Sequence, residues 1–182
     1  MKIYFDIQYK TAFGEELLLN VEGQDESADS VLMFTRDGLN WSCDIDVPED
    51  TTKVSYYYSV RNYRGIKRTE WKMMKHLLYL NATAAKRYVV HDRWHDFPCD
   101  TYLYSSAFTD CVNRRAEGKV TPTDLPRVLR LVVRAPQLRI GSRLTLLGAG
   151  DFLGNWDLTK AIPMTEQNHN EWMVDIDVDR YV

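Results

Sequence analysis

The sequence predicts an all-β protein made of two related antiparallel β-sandwich or barrel modules. Short apolar or alternating runs recur along the chain, and turn signals rich in glycine, proline and aspartate separate them. Eleven Tyr, five Trp and six Phe are many for 182 residues, and aromatic side chains favour strands. One heptapeptide also occurs twice in a closely similar form, which indicates that the module is duplicated.

The first half of the chain contains most of the predicted strands. They cover residues 3–7, 17–21, 31–34, 41–47, 54–60 and 88–90. Side chains alternate across a strand, so the central residue of Tyr56-Tyr57-Tyr58 is expected to face away from its two neighbours. Helix is predicted only over residues 71–80 and 105–115. Strand patterning resumes over residues 128–134, 144–147 and 172–178.

The repeat defines the predicted domain organisation. Five of seven positions are identical between WSCDIDV, which begins at Trp41, and WMVDIDV, which begins at Trp172. From Gly14 to Trp41 is 27 residues and from Gly141 to Trp172 is 31, so the second copy carries a four-residue insertion. We expect one module over residues 1–97 and a proline-containing linker over 98–126. A second module is expected over 127–182, with its last strands missing, because few residues follow its heptapeptide.

Composition excludes several classes of function. A net charge of −3 and a pI of about 5.8 argue against nucleic-acid binding. Three cysteines without a CxxC pair indicate neither a disulfide framework nor a cysteine-based zinc site, and no cofactor is expected. The N-terminus lacks a signal-peptide pattern, and no apolar run approaches the ~18 residues that span a membrane. We therefore expect a soluble, cytoplasmic protein without a membrane partner.

Two patterns that resemble chemical sites are better explained by strands. His91 and His95 would share a face only on a helix, whereas the apolar residues before them predict a strand, so no metal site is expected there. Asp44 and Asp46 alternate with apolar residues, which is typical of the solvent face of a strand. No catalytic residue is therefore assigned.

The insertion in the second copy contains the most informative segment, GAGDFLGNWD followed by LTKAIPM. The Gly154-Asn155 pair predicts a tight turn that turns Trp156 outward. An exposed Trp offers a flat apolar face to the C–H patches of a pyranose ring, and Asn155, Asp157 and Lys160 could bond to the sugar hydroxyls. Alternatively, Trp156 closes the edge of the sandwich. The residues alone leave both interpretations open.

The order of these motifs resembles carbohydrate-binding module family 20, the starch-binding modules. LGNWD, then KAIPM, then the Trp-led strand WMVDIDV cover most of the second copy. The resemblance implies an immunoglobulin-like β-sandwich that binds α-1,4-glucans, such as starch, glycogen or maltooligosaccharides. It implies that Trp156 belongs to a binding site and that Trp172 is structural.

The first copy resembles the same family less closely. The segment Thr11 to Glu15 resembles a loop that often carries a binding-site Tyr, which implies that Phe13 stacks on a sugar. Tyr57 occupies the position of a binding-site Lys, and Trp71 that of a second stacking Trp. The LGxWD loop is missing from this copy.

Two such modules in tandem resemble the start of a 4-α-glucanotransferase (amylomaltase, glycoside hydrolase family 77). The resemblance implies a downstream catalytic barrel in the same polypeptide, for which these modules hold the glucan. No part of this chain alternates strands and helices as such a barrel would. The competing hypothesis is a β-sandwich that binds protein partners or regulates an attached enzyme and has no affinity for glucans.

Overall fold

Two compact units, Met1–Pro98 and Cys99–Val182, divide the chain in a computed structural model. The structure describes residues 1–23, 28–81, 87–105, 107, 120, 123–136, 138–139, 141–168 and 170–180. The predicted helix over 105–115 lies almost wholly outside these residues, as does much of the predicted linker. Within the described part of that linker, Thr101–Tyr104 forms a short 3₁₀ helix with Leu103 and Tyr104 buried.

Short strands, as predicted, make up the described part of the first unit. They are β1 Lys2–Gln8, β2 Glu16–Glu22, β3 Ala28–Leu32, β4 Phe34–Thr35, β5 Asn40–Asp46, β6 Lys53–Asn62, β7 Gly65–Thr69, β8 His76–Tyr79 and β9 Arg87–Asp92. One sheet has the order β4-β5-β1-β9, and the other has the order β3-β2-β6-β7 with β8 also paired to β6. The all-β prediction is confirmed.

Alternation along the strands explains why the two sheets face each other. On β1, Ile3, Phe5 and Ile7 are buried, and on β6 Tyr56 and Tyr58 are buried. These side chains join one apolar cluster that receives residues from both sheets. Because apolar faces of two sheets exclude water together, the first unit is a β-sandwich. Tyr57 points to the other face of β6, as the alternation predicts.

Two features of the first unit differ from the predictions. The strand pair β1–β9 is parallel, although every other strand pair described in this unit is antiparallel. The helix predicted over 71–80 is wrong, since Lys72–Met74 forms one 3₁₀ turn and His76–Tyr79 forms β8. Pairing of β8 with Lys53–Tyr56 of β6 satisfies its backbone groups, and this tertiary contact overrides local helix propensity.

The second unit contains β10 Val128–Arg134, β11 Thr145–Leu146, β12 Ile162–Pro163, β13 Thr165–Asn168 and β14 Glu171–Asp177. Its sheets are β10-β14-β13 and β11-β12. Further 3₁₀ turns cover Leu158–Lys160 and Val178–Arg180, and Asp151–Trp156 forms a kinked segment that is not helical at residues 153–155. Met164, Trp172 and Val174 form a buried apolar cluster against partly buried neighbours. The helices within the described ranges include none that is long and apolar enough to cross a membrane.

Candidate functional site

Backbone hydrogen bonds fix the loop that carries the LGNWD motif. The Gly148 N–H donates to the Leu153 carbonyl at 3.0 Å, and the Leu153 N–H donates to the Gly150 carbonyl at 3.2 Å. The same Gly150 carbonyl accepts from the Asn155 N–H at 2.8 Å, while the Gly148 carbonyl accepts from the Trp156 N–H at 3.0 Å. The main chain thus folds back on itself through both glycines, and the loop has one well-defined course.

Three consecutive residues of this loop have left-handed backbone conformations. The φ angles are 77° at Gly154, 48° at Asn155 and 65° at Trp156. Glycine and asparagine adopt positive φ readily, but a bulky aromatic residue rarely does. Such a conformation costs of order 1–3 kcal/mol and persists only where surrounding bonds impose it. Its presence at Trp156 marks this residue as a candidate functional position.

The left-handed turn leaves Trp156 68% exposed. The predicted site residues Asn155, Asp157 and Lys160 are also exposed on the same loop. The Asp157 carboxylate accepts hydrogen bonds from the Thr159 hydroxyl at 2.7 Å and the Thr159 N–H at 2.9 Å. These bonds lower the pKa of Asp157. A Trp face and exposed polar side chains therefore share one solvent-facing segment.

In the first unit, the loop between β1 and β2 carries Phe13, whose side chain is fully exposed. Gly14 follows with φ 79°, and the buried Glu15 carboxylate accepts from the Ala12 N–H at 2.9 Å. The side chains of Lys67 and Arg68 also donate to this carboxylate. The bonds from Lys67 and Ala12 lower the pKa of Glu15 to about 2. The ionised Glu15 carboxylate thus holds the loop on its buried side, while Phe13 is exposed to solvent.

The other two predicted residues of the first unit occupy different surroundings. Tyr57 is half-buried, and the Lys72 ammonium lies 4.7 Å from its ring centroid. Trp71 is only 6% exposed, and its ring centroid lies 5.8 Å from that of Phe97 at an interplanar angle of 43°. Phe97, not Trp71, presents the exposed aromatic ring of this pair.

Sequence reasoning missed Phe97 and a second aromatic pair. The rings of Tyr9 and Trp94 stack at a centroid distance of 4.2 Å, with the Arg68 guanidinium 5.7 Å from the Tyr9 ring. Trp94 also donates from Nε1 to Asp96 at 2.9 Å. The segment HDRWHDFP contains Trp94 and Phe97, two of these three aromatic residues, and its density of ring-bearing side chains is the signal that could have identified it.

No protein-family model matches the sequence, and no curated protein matches it. Among solved structures, the chain is similar to a glycoside hydrolase family 15 glucoamylase from Hypocrea jecorina. The identity is 15%, the TM-score is 0.43, and the match covers 53% of this chain and 17% of that one. It is also similar to a gamma-CGTase from alkalophilic Bacillus clarkii, with 19% identity, a TM-score of 0.41 and coverage of 52% and 15%. At these low identities and TM-scores, the similarity identifies no function for this chain.

Proposed function

We propose that the second unit binds α-1,4-glucan non-catalytically on the surface formed by Trp156, Asn155, Asp157 and Lys160. The observation that carries the proposal is the conformation of Trp156, which the loop holds at φ 65° and leaves 68% exposed. A Trp that closed the sandwich edge would be covered by other side chains. Its exposure therefore supports the ligand-contact interpretation over the edge-closing one.

The chemistry of the surface suits a neutral sugar polymer. Pyranose rings stack on aromatic faces through their C–H patches, and each such contact contributes about 1 kcal/mol beyond the burial of area. The polar side chains of Asn155, Asp157 and Lys160 can exchange hydrogen bonds with hydroxyl groups. One site of this kind binds weakly. The fully exposed Phe13 of the first unit is proposed as an additional contact, which would raise the avidity for a long glucan.

The resemblance noted above leads us to propose a wider context for this binding. The chain would serve a cytoplasmic 4-α-glucanotransferase and would hold starch, glycogen or maltooligosaccharide for a catalytic barrel in the same polypeptide. In this proposal Tyr57 and Trp71 act as further contacts of the first unit. Trp71 can meet a sugar only if side chains around it move, because it is 6% exposed.

Retention on granular starch and affinity for β-cyclodextrin test the proposal directly. We expect the 182-residue chain to be retained and Trp156→Ala to bind about tenfold more weakly, or about 1.4 kcal/mol. Tyr63→Ala is the control, because Tyr63 is an exposed aromatic residue, at 85% against 68% for Trp156, to which no site is assigned. Equal retention of the wild type and Trp156→Ala would exclude this site. Absence of retention by the wild type would favour the protein-interaction hypothesis.

A further inference from the structure

Three side chains from separate segments of the first unit meet beside its core. Glu70 follows β7, His76 begins β8 and His95 follows β9. One ligand atom from each lies within 4.8 Å of the others. Glu70 and His76 are buried, and His95 is partly buried. Imidazole nitrogen and carboxylate oxygen are ligand types that divalent transition metals accept.

Each imidazole has one ring nitrogen beside an oxygen atom that can fix the orientation of the ring. His76 Nδ1 lies 3.5 Å from the Asp92 carboxylate, and its Nε2 lies 3.2 Å from Oε1 of Glu70. His95 Nδ1 lies 3.1 Å from the Met74 carbonyl oxygen. In metal sites the non-ligating nitrogen of a His almost always donates to a carboxylate or a backbone carbonyl, and this contact sets the ring orientation. Nε2 would accordingly be the ligating atom of each ring.

The carboxylates of the cluster are held in place from several directions. Asp92 Oδ2 accepts hydrogen bonds from the hydroxyls of Tyr56 at 2.9 Å and Tyr58 at 2.8 Å. Glu70 Oε2 accepts from the Tyr58 N–H at 2.7 Å, and Oε1 accepts from the His95 N–H at 2.6 Å. Burying carboxylates is costly unless positive charge and hydrogen bonds compensate them. These donors therefore hold both carboxylates in fixed positions beside the two imidazoles.

We propose that Glu70, His76 and His95 bind one divalent transition-metal ion of the Zn²⁺ class. A set of two His and one Glu leaves a fourth position for water in tetrahedral geometry. The two imidazole rings are stacked, with centroids 3.7 Å apart and an interplanar angle of 11°. Coordination therefore requires one ring to tilt, and His95 can do so because it is the less buried of the two.

The ion would connect three separate segments of the first unit. It would join the end of β7, the start of β8 and the segment after β9. That last segment carries Phe97 against Trp71, and the Trp71 N–H already donates to the His95 carbonyl at 3.0 Å. Metal binding is thus expected to stabilise the first unit. The inference is independent of the glucan surface proposed around Trp156, which belongs to the second unit.

Titration of the chelator-treated 182-residue chain with Zn²⁺ against a chromophoric indicator tests the site. Cysteine thiols are alkylated first, so that they contribute no ligand. We expect one equivalent to bind, Co²⁺ to give visible absorption bands of nitrogen coordination, and His95→Ala to weaken affinity at least tenfold. His91→Ala is the matched control and should bind like the wild type, because the His91 side chain is 73% exposed and lies against Asp6 instead.

Thermal unfolding gives a second measurement, since an ion that binds only the folded state raises the Tm. Zn²⁺ should raise the Tm of the wild type and of His91→Ala but not that of His95→Ala. Circular dichroism of the metal-free variants checks that each is folded, and His95→Gln replaces any His95→Ala protein that is not. Absence of nitrogen-coordinated Co²⁺ bands in the wild type would overturn the proposal without any variant. So would an equal loss of affinity in the His91 and His95 variants.

Discussion

The two units share one three-stranded arrangement. In the first unit β5 lies between β1 and β4, and in the second β14 lies between β10 and β13. Ile7 pairs with Trp41 as Val133 pairs with Trp172, so the two tryptophans occupy the same place in the register. The residues opposite them on the third strand are Thr35 and Glu166. The heptapeptide repeat is therefore also a repeat of strand pairing.

The units differ in what lies between the shared strands. In the first unit the interval from Gly14 to Trp41 is occupied by β2, β3 and β4. In the second, the interval from Gly141 to Trp172 has short strands and the hydrogen-bonded loop that exposes Trp156. Apolar alternation fixes the register of paired strands, whereas a surface loop can change without disturbing them. The comparison shows how one scaffold can keep its sheet and vary its surface.

The largest effect is expected when the shared tryptophans are removed. Trp41 is 3% exposed and Trp172 is 7% exposed, so Trp41→Ala and Trp172→Ala should each cost about 3–5 kcal/mol of unfolding free energy. Trp156→Ala is the control in the same unit as Trp172 and should cost less than about 0.5 kcal/mol. Urea unfolding followed by circular dichroism measures all three. A Trp172→Ala protein as stable as Trp156→Ala would break the equivalence.

A smaller effect is expected at the glycine that has no counterpart in the first unit. A Cβ at Gly154 would lie 3.0 Å from Lys160 Cβ and 3.2 Å from Leu147 Cδ1, and φ is 77°. Gly154→Ala should therefore cost roughly 2–3 kcal/mol, from the left-handed conformation and from crowding. The unfolding free energy of Gly154→Ala and its retention on starch should both be lower than those of the wild type.

Gly141→Ala separates the two causes of that loss. Gly141 has φ 80°, and a Cβ there would meet nothing within 4 Å. Gly141→Ala should lose only the part of the unfolding free energy that the left-handed conformation costs, about 1–2 kcal/mol. It should bind starch as the wild type does. If both variants lost equal stability, crowding around Gly154 would be irrelevant, and the loop would be less tightly determined than its hydrogen bonds indicate.

Most strands could be predicted because their signal is local. Alternation identified β1, β5 and β6 together with the opposite directions of Tyr56 and Tyr57, and the structure confirms both. Residues 71–80 were predicted wrongly, because their apolar spacing suits a helix and only pairing with β6 shows β8 to be a strand. The parallel β1–β9 pair also depends on a contact between distant parts of the chain.

The candidate sites were also predictable to different degrees, because one depends on adjacent residues and the other on contacts between distant parts of the chain. The turn at Gly154-Asn155 can be predicted from two adjacent residues. The positive φ of Trp156 accompanies backbone hydrogen bonds from the loop to the Gly148 and Gly150 carbonyls, which the sequence does not reveal. Glu70, His76 and His95 have no ligand spacing that a sequence pattern would reveal. They meet only because the end of β7, the start of β8 and the segment after β9 come together in the folded first unit.

The smallest effect is expected at a position where the two heptapeptides differ. Cys43 on β5 corresponds to Val174 on β14, and each pairs with an apolar residue, Phe5 or Leu131, on the neighbouring strand. Burial and the nearby Asp44 raise the pKa of the Cys43 thiol to about 12. The thiol therefore stays protonated at neutral pH and acts as a small apolar group.

Cys43→Val should consequently change the unfolding free energy by less than about 1 kcal/mol, because it nearly conserves volume and apolarity. Cys43→Asp is the contrasting variant, since it places a charge against the apolar cluster of the first unit and should cost several kcal/mol. Urea unfolding measures both. A large loss in Cys43→Val would mean that the first unit depends on the thiol itself, so that the two strands share a register without sharing their packing. A small loss would extend the equivalence of β5 and β14 from backbone pairing to side-chain environment.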